Sequence, residues 1–99
     1  MAEKLIYSYE TIFIIDASLE EDSIKALTEK FTALISKNGT LESVDEWGKR
    51  RLAYEIDDKS EGYYVLANFK ADGDFPKELD RQFRITDGIL RTIIIRKED

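Results

Sequence analysis

Along this chain the hydrophobic side chains recur first every second residue, then about every 3.6, and the switches between these periods fix the order of its elements. Residues 5–15, LIYSYETIFII, are rich in aromatic and β-branched types and read as a strand. Ile24, Leu27, Phe31, Leu34 and Ile35 then recur at helical spacing and predict one apolar stripe. Ser18 and Glu21 have the S-x-x-E spacing of a capping box, which predicts a helix start there, and Glu21 with Lys25 predicts an i,i+4 ion pair. Asn38-Gly39 is expected to stop this helix with a left-handed residue. The extended pattern over residues 40–56 is long for one strand, and Gly48 inside it points to a bulge. DDKSEG is expected to be a hairpin connection, and residues 63–71 the next strand. A second helix is expected to open on Asp74 as N-cap with Pro76 in its first turn. Phe75, Leu79 and Phe83 share one face of it, and Gly88 ends it. ILRTIIIR forms the last strand.

The order β-α-β-β-α-β predicts an α+β chain of the ferredoxin-like, split βαβ plan, with four antiparallel strands carrying two helices on one face. In that plan the first and third strands are central, and the second and fourth are edges. With 42% hydrophobic residues and one proline among 99, residues 1–99 are expected to form one such domain.

If both helices cover one face, the other should be polar wherever it meets only water. Neither parity of these strands is polar. Phe13, Val65, Phe69 and Ile94 are assigned to the helix side, which leaves Ile12, Ile14, Tyr64, Leu66 and Ile93 on the open face, with Ile95 at its margin. Glu10, Asn68 and Arg91 rim that patch. A contiguous apolar patch of this kind marks an interaction surface, for a protein partner or for self-association.

Chemistry is narrowed by what is missing. Without His or Cys there is no imidazole base, no thiolate and no disulfide, and no Gly-rich phosphate loop occurs. No enzyme, cofactor, metal or small-molecule substrate is therefore expected. No apolar run approaches the roughly 20 residues of a spanning helix, and MAEKLIYSYE lacks the apolar core of a secretory signal. A cytoplasmic protein without a membrane partner is expected. The formal net charge is -6, but it is segregated. Lys49, Arg50 and Arg51 stand together between Trp47 and Tyr54, and Arg81, Arg84, Arg91, Arg96 and Lys97 fall late in the chain. Arginines beside planar aromatics suit RNA, since guanidinium grips phosphate and rings stack on bases. Cations on an edge strand equally guard against strand-to-strand aggregation. Alternation in an extended chain would keep Lys49 and Arg51 from pointing with Arg50 unless Gly48 distorts it.

The whole pattern resembles the bacterial small-subunit ribosomal protein six family. The resemblance rests on Tyr9-Glu10, WGKRRLAYEI at residues 47–56, EGYYVLANF at residues 61–69 and FRITDGILR at residues 83–91, in order across nearly the entire chain. Glu55 stands where the family commonly has proline. The resemblance implies a structural role in the small ribosomal subunit on the cytoplasmic ribosome, contributing to subunit assembly and translation. It also implies binding of small-subunit (16S) ribosomal RNA as a heterodimer with small-subunit ribosomal protein eighteen. On this resemblance RNA contact falls to Lys49, Arg50, Arg51 and Arg91, with Arg84 and Arg96 beside them, and the apolar open face receives the partner.

Overall fold

The computed structural model describes residues 5–56 and 59–97. Its elements are β1 (Ile6–Asp16), α1 (Glu21–Asn38), β2 (Gly39–Ile56), β3 (Lys59–Asp72), α2 (Phe75–Arg84) and β4 (Ile89–Arg96). The strands form one antiparallel sheet in the order β2-β3-β1-β4, so β1 and β3 are central as the pattern predicts. Both helices lie on one face, where Phe13, Val65 and Phe69 meet Phe31 of α1 and Phe83 of α2. The rings of Phe13, Phe31 and Phe83 form a triangle with centroids 5.6, 5.1 and 4.4 Å apart. Each such pair contributes about 0.5–1.5 kcal/mol beyond its buried area. No helix among the described residues is long and apolar enough to cross a membrane.

The helix ends depart from the sequence expectation. Ser18 does not cap α1: its N–H and its hydroxyl both donate to Asp16 Oδ1, at 2.9 and 2.7 Å. A hydroxyl bonded to a carboxylate is charge-assisted, so the turn wins over the cap and α1 starts at Glu21. Asp74 stands at the N-cap of α2 without a side-chain bond. Asp72 acts instead, its Oδ1 accepting the N–H of Asp74 at 2.8 Å and of Phe75 at 3.1 Å. Gly39 is extended (φ −167°) rather than left-handed. A Cβ at Gly39 would stand 2.2 Å from the Lys70 carbonyl oxygen, so this glycine permits close approach of β2 to β3. Asn38 Nδ2 donates to the Leu34 carbonyl, 2.9 Å away, at the end of α1. Helix α2 ends at Arg84, and Gly88 (φ +94°) serves the turn into β4 instead. Glu21 and Lys25 form no ion pair, consistent with the small gain from an exposed pair.

The expected DDKSEG connection is largely strand. Lys59 already pairs with Ile56, and Glu61 with Arg51. Asp57 and Asp58, also assigned to the turn, lie outside the described residues. The β2–β3 hairpin therefore runs past β1, whose pairing with β3 begins at Asp16 and Gly62.

Candidate nucleic-acid and protein interface

Register assigns each strand side chain to a face. On the uncovered face Ile12 stands between Leu66 and Ile93, and Ile14 between Tyr64 and Arg91. Ile12, Tyr64 and Leu66 are half-buried, whereas Ile93 and Ile95 are 46% and 50% exposed. Ile14 corrects the expectation of an open apolar residue, because it is buried. Between Arg51 and Ile56 the β2–β3 ladder breaks, and Leu52 turns in over the sheet. A Cβ at Gly62 would meet Ile14 Cγ2 at 2.3 Å and Leu52 Cδ2 at 3.2 Å, so the two side chains converge above that glycine. Leu52 is as buried as Ile14, both at 8% exposure, while Tyr54 beyond it is 79% exposed. The three, with Ile56, Tyr64 and Arg91, line a crevice of about 110 Å³.

The cation triplet is sorted by a bulge. Glu46 pairs with Val65 and Gly48 with Tyr64, so Trp47 is the extra residue of β2 at that point. Gly48 takes φ +81°, a conformation that favours glycine. Trp47 lies over Tyr64 with ring centroids 6.1 Å apart and planes 14° from parallel, and its Nε1 donates to Asp45 Oδ2 at 3.1 Å. Past the bulge, regular alternation resumes. Arg50 opposite Gly62 faces the uncovered side, and Lys49 and Arg51, opposite Tyr63 and Glu61, face away. Arg50 on one edge and Arg91 on the other thus flank the Trp47–Tyr64 stack, three strand spacings across and two residues along, about 16 Å apart. Neither makes an ion pair among the described residues.

The other cations are differently placed. Lys49 borders a cleft of about 220 Å³ with Asp16, Ser18, Lys59 and Glu61. There Lys59 Nζ lies 3.5 Å from Asp16 Oδ2 and donates to Ser18 Oγ at 3.1 Å. The Ser18 hydroxyl, and secondarily Lys59, hold the Asp16 carboxyl below its usual pKa. Tyr63 donates its hydroxyl to Glu46 Oε1 at 3.1 Å, and burial followed by that carboxylate pushes its pKa up. The helix arginines are neutralised locally. Arg81 grips Glu78 through Nε and Nη2 at 3.1 and 2.6 Å, and Arg84 pairs with Asp80. Arg96 lies on the helix side, its guanidinium 3.8 Å from the Tyr7 ring centroid. Sequence reasoning left Trp47 unplaced and missed the Leu52 fold-over. The signal for the first was an aromatic directly before a left-handed glycine.

The geometry has close counterparts. A family profile described as Ribosomal protein S6 matches residues 8–96. The small ribosomal subunit protein bS6 of Clostridium perfringens is 58% identical over 91 residues, covering 91% of this chain and 96% of the relative. That of Clostridium novyi is 52% identical over 92 residues, covering 92% and 97%. The crystal structure of 30S ribosomal protein S6 from Thermotoga maritima superposes with a TM-score of 0.88 at 32% identity, covering 94% of this chain and 89% of that one.

Proposed function

Because the chain belongs to the ribosomal protein S6 family, and is thus a non-enzymatic constituent of the small ribosomal subunit, we propose that it works there by binding 16S ribosomal RNA jointly with small-subunit ribosomal protein eighteen. The whole chain acts as one RNA-binding domain. One observation carries this reading: Arg50 and Arg91, both without acidic partners among the described residues, flank an aromatic stack on a sheet face that the fold leaves apolar. The protein partner takes the row Ile12, Leu66 and Ile93 and rests against the Tyr64 ring, while Ile14 supports that row from beneath Leu52. The two arginines meet phosphates at its ends. Lys49 and Arg51 reach RNA on the far side of the hairpin. Arg84 and Arg96 contribute less, since each already has an intramolecular partner. A chain of net charge -6 repels RNA at long range, so a basic partner supplies the encounter.

The test is a titration of a 16S central-domain fragment with the chain alone and with its partner, repeated over salt. Partner addition should tighten binding at least about tenfold. Changing Arg50 and Arg91 together to alanine should lower the slope of log K on log salt by about 2 and weaken binding about a hundredfold. Arg84→Ala serves as the control and should change affinity less than about threefold. Unchanged affinity and slope in the double variant would exclude these arginines as the RNA contacts.

A further inference from the structure

The sheet has two edges, and they are guarded unequally. The β2 ladder breaks its register three times and carries charges along its length, two devices that prevent strand addition. The β4 ladder runs unbroken from Tyr9–Arg96 to Ile14–Arg91, and its bulge lies beyond that point. Two of its isoleucines, Ile93 and Ile95, are about half exposed, at 46% and 50%. We infer that β4 is a self-recognition edge, on which two copies of this chain pair antiparallel about a two-fold axis at Ile93.

The backbone phase selects the register. Lys97 N–H donates to the Ser8 carbonyl at 2.8 Å, which makes Ser8–Lys97 a hydrogen-bonded pair. Two-residue steps along an antiparallel ladder repeat that state, so Arg91, Ile93 and Ile95 turn their amides toward β1. Thr11 Oγ1 also donates to the Ile93 carbonyl at 2.9 Å, in keeping with this phase. Thr92, Ile94 and Arg96 then turn their N–H and C=O outward, and so does the Leu90 carbonyl, which shares a peptide with the inward Arg91 N–H. With Ile93 on the axis, Thr92 pairs with the partner's Ile94, and the Leu90 carbonyl accepts the N–H of the partner's Arg96, each contact occurring twice. An axis on Ile94 would set Arg91 against the partner's Lys97, and like charges directly opposite are destabilising. An axis on Thr92 would leave the Arg96 amide beyond the end of the partner's strand.

Side chains agree with this register. Arg91 stands opposite the partner's Ile95, and Ile95 is flanked in its own sheet by Glu10. Glu10 and Arg91 share the uncovered face and make no ion pair in one copy among the described residues. Across the axis they lie two strand spacings apart, about 10 Å, a gap that an arginine and a glutamate close over an isoleucine. Two symmetric bridges result. Between them Leu66, Ile12 and Ile93 of each copy form one continuous apolar row. The assembly closes at two copies, because the edges left over are the guarded β2 strands.

This association engages Arg91 and the Ile12–Leu66–Ile93 row that the RNA-binding reading also uses, so the two compete for one surface; its test contains neither RNA nor another protein and can fail without touching that reading. Sedimentation equilibrium of the full chain from about 1 µM to about 1 mM should show a monomer–dimer equilibrium. Thr92→Pro removes an outward N–H and leaves the β1 ladder intact, so dimerisation should weaken at least about tenfold with an unchanged circular dichroism spectrum. Arg91→Glu should also weaken it, and Glu10→Arg added to Arg91→Glu should restore it. A monomer over the whole range, or a dimer indifferent to Thr92→Pro, would overturn the edge pairing. Failure of the charge exchange to restore association would overturn the register.

Discussion

Truncating Leu52 to alanine tests whether the hairpin closes over the sheet. Leu52 is 8% exposed on a face that is otherwise open, and it shares that burial with Ile14. The substitution returns about three methylene equivalents to water, or about 2.5 kcal/mol. The crevice beside it opens to solvent, so little enclosed cavity is left and the loss should fall at the lower end of the usual range for leucine truncation, about 2–3 kcal/mol. For a domain of this size that displaces Tm by roughly 10–20 °C. Urea unfolding followed by far-ultraviolet circular dichroism would measure it, with Tyr54→Ala as the control. Tyr54 is 79% exposed, and its loss should cost less than about 0.5 kcal/mol. If Leu52→Ala were as mild as Tyr54→Ala, the hairpin would be turned away from the sheet in solution and Ile14 would be open to a partner after all.

Two further outcomes follow from local geometry. Arg81, then Gln82, hold Glu78 well down, at a pKa of about 2 against an ordinary 4.5. Its depressed pKa makes a stabilising contribution present above about 4.5 and lost as pH falls toward about 2. The difference in urea midpoint between the natural chain and Glu78→Gln should therefore shrink over that interval, and a difference independent of pH would refute the assignment. Gly39→Ala should cost about 3 kcal/mol, because its Cβ would press on the Lys70 backbone. Gly48→Ala has no atom within 4 Å to meet and should cost only about 1–2 kcal/mol of left-handed strain. The reverse order in urea unfolding would contradict both roles.

Periodicity carried most of the fold. Ile24, Phe31 and Ile35 are buried where the helical stripe places them, and Phe13, Val65 and Phe69 lie beneath the helices as parity requires. Thr28 escaped the pattern: it is buried within that stripe, its hydroxyl donating to the Ile24 carbonyl at 3.0 Å. The helix boundaries were less legible because nearby carboxylates compete for the capping groups. Asp16 engages the Ser18 hydroxyl that would have capped α1, Asp72 takes the amides of Asp74 and Phe75, and no motif ranks a carboxylate there against a serine or aspartate at the cap. At the candidate interface the cations were visible as a cluster but their partners were not. Arg84 and Arg50 look alike in sequence, yet Asp80 lies one helical turn before Arg84, while no acidic side chain among the described residues pairs with Arg50. Leu52 was hidden for another reason. It occupies a ladder break, where the two-residue period that assigns faces no longer applies.

The extra residue at Trp47 has a consequence for how such surfaces change over time. Each bulge in β2 exchanges the roles of odd and even positions for everything downstream, as a shifted reading frame changes every later codon. Flattening that bulge with Trp47 kept in the ladder opposite Tyr64 would bring Lys49 and Arg51 to the uncovered face and withdraw Arg50, with no cation substituted. Register is therefore inherited as a trait of its own in this strand. Two chains with the same WGKRR letters present the same charges to a neighbour only if both keep the bulge ahead of them.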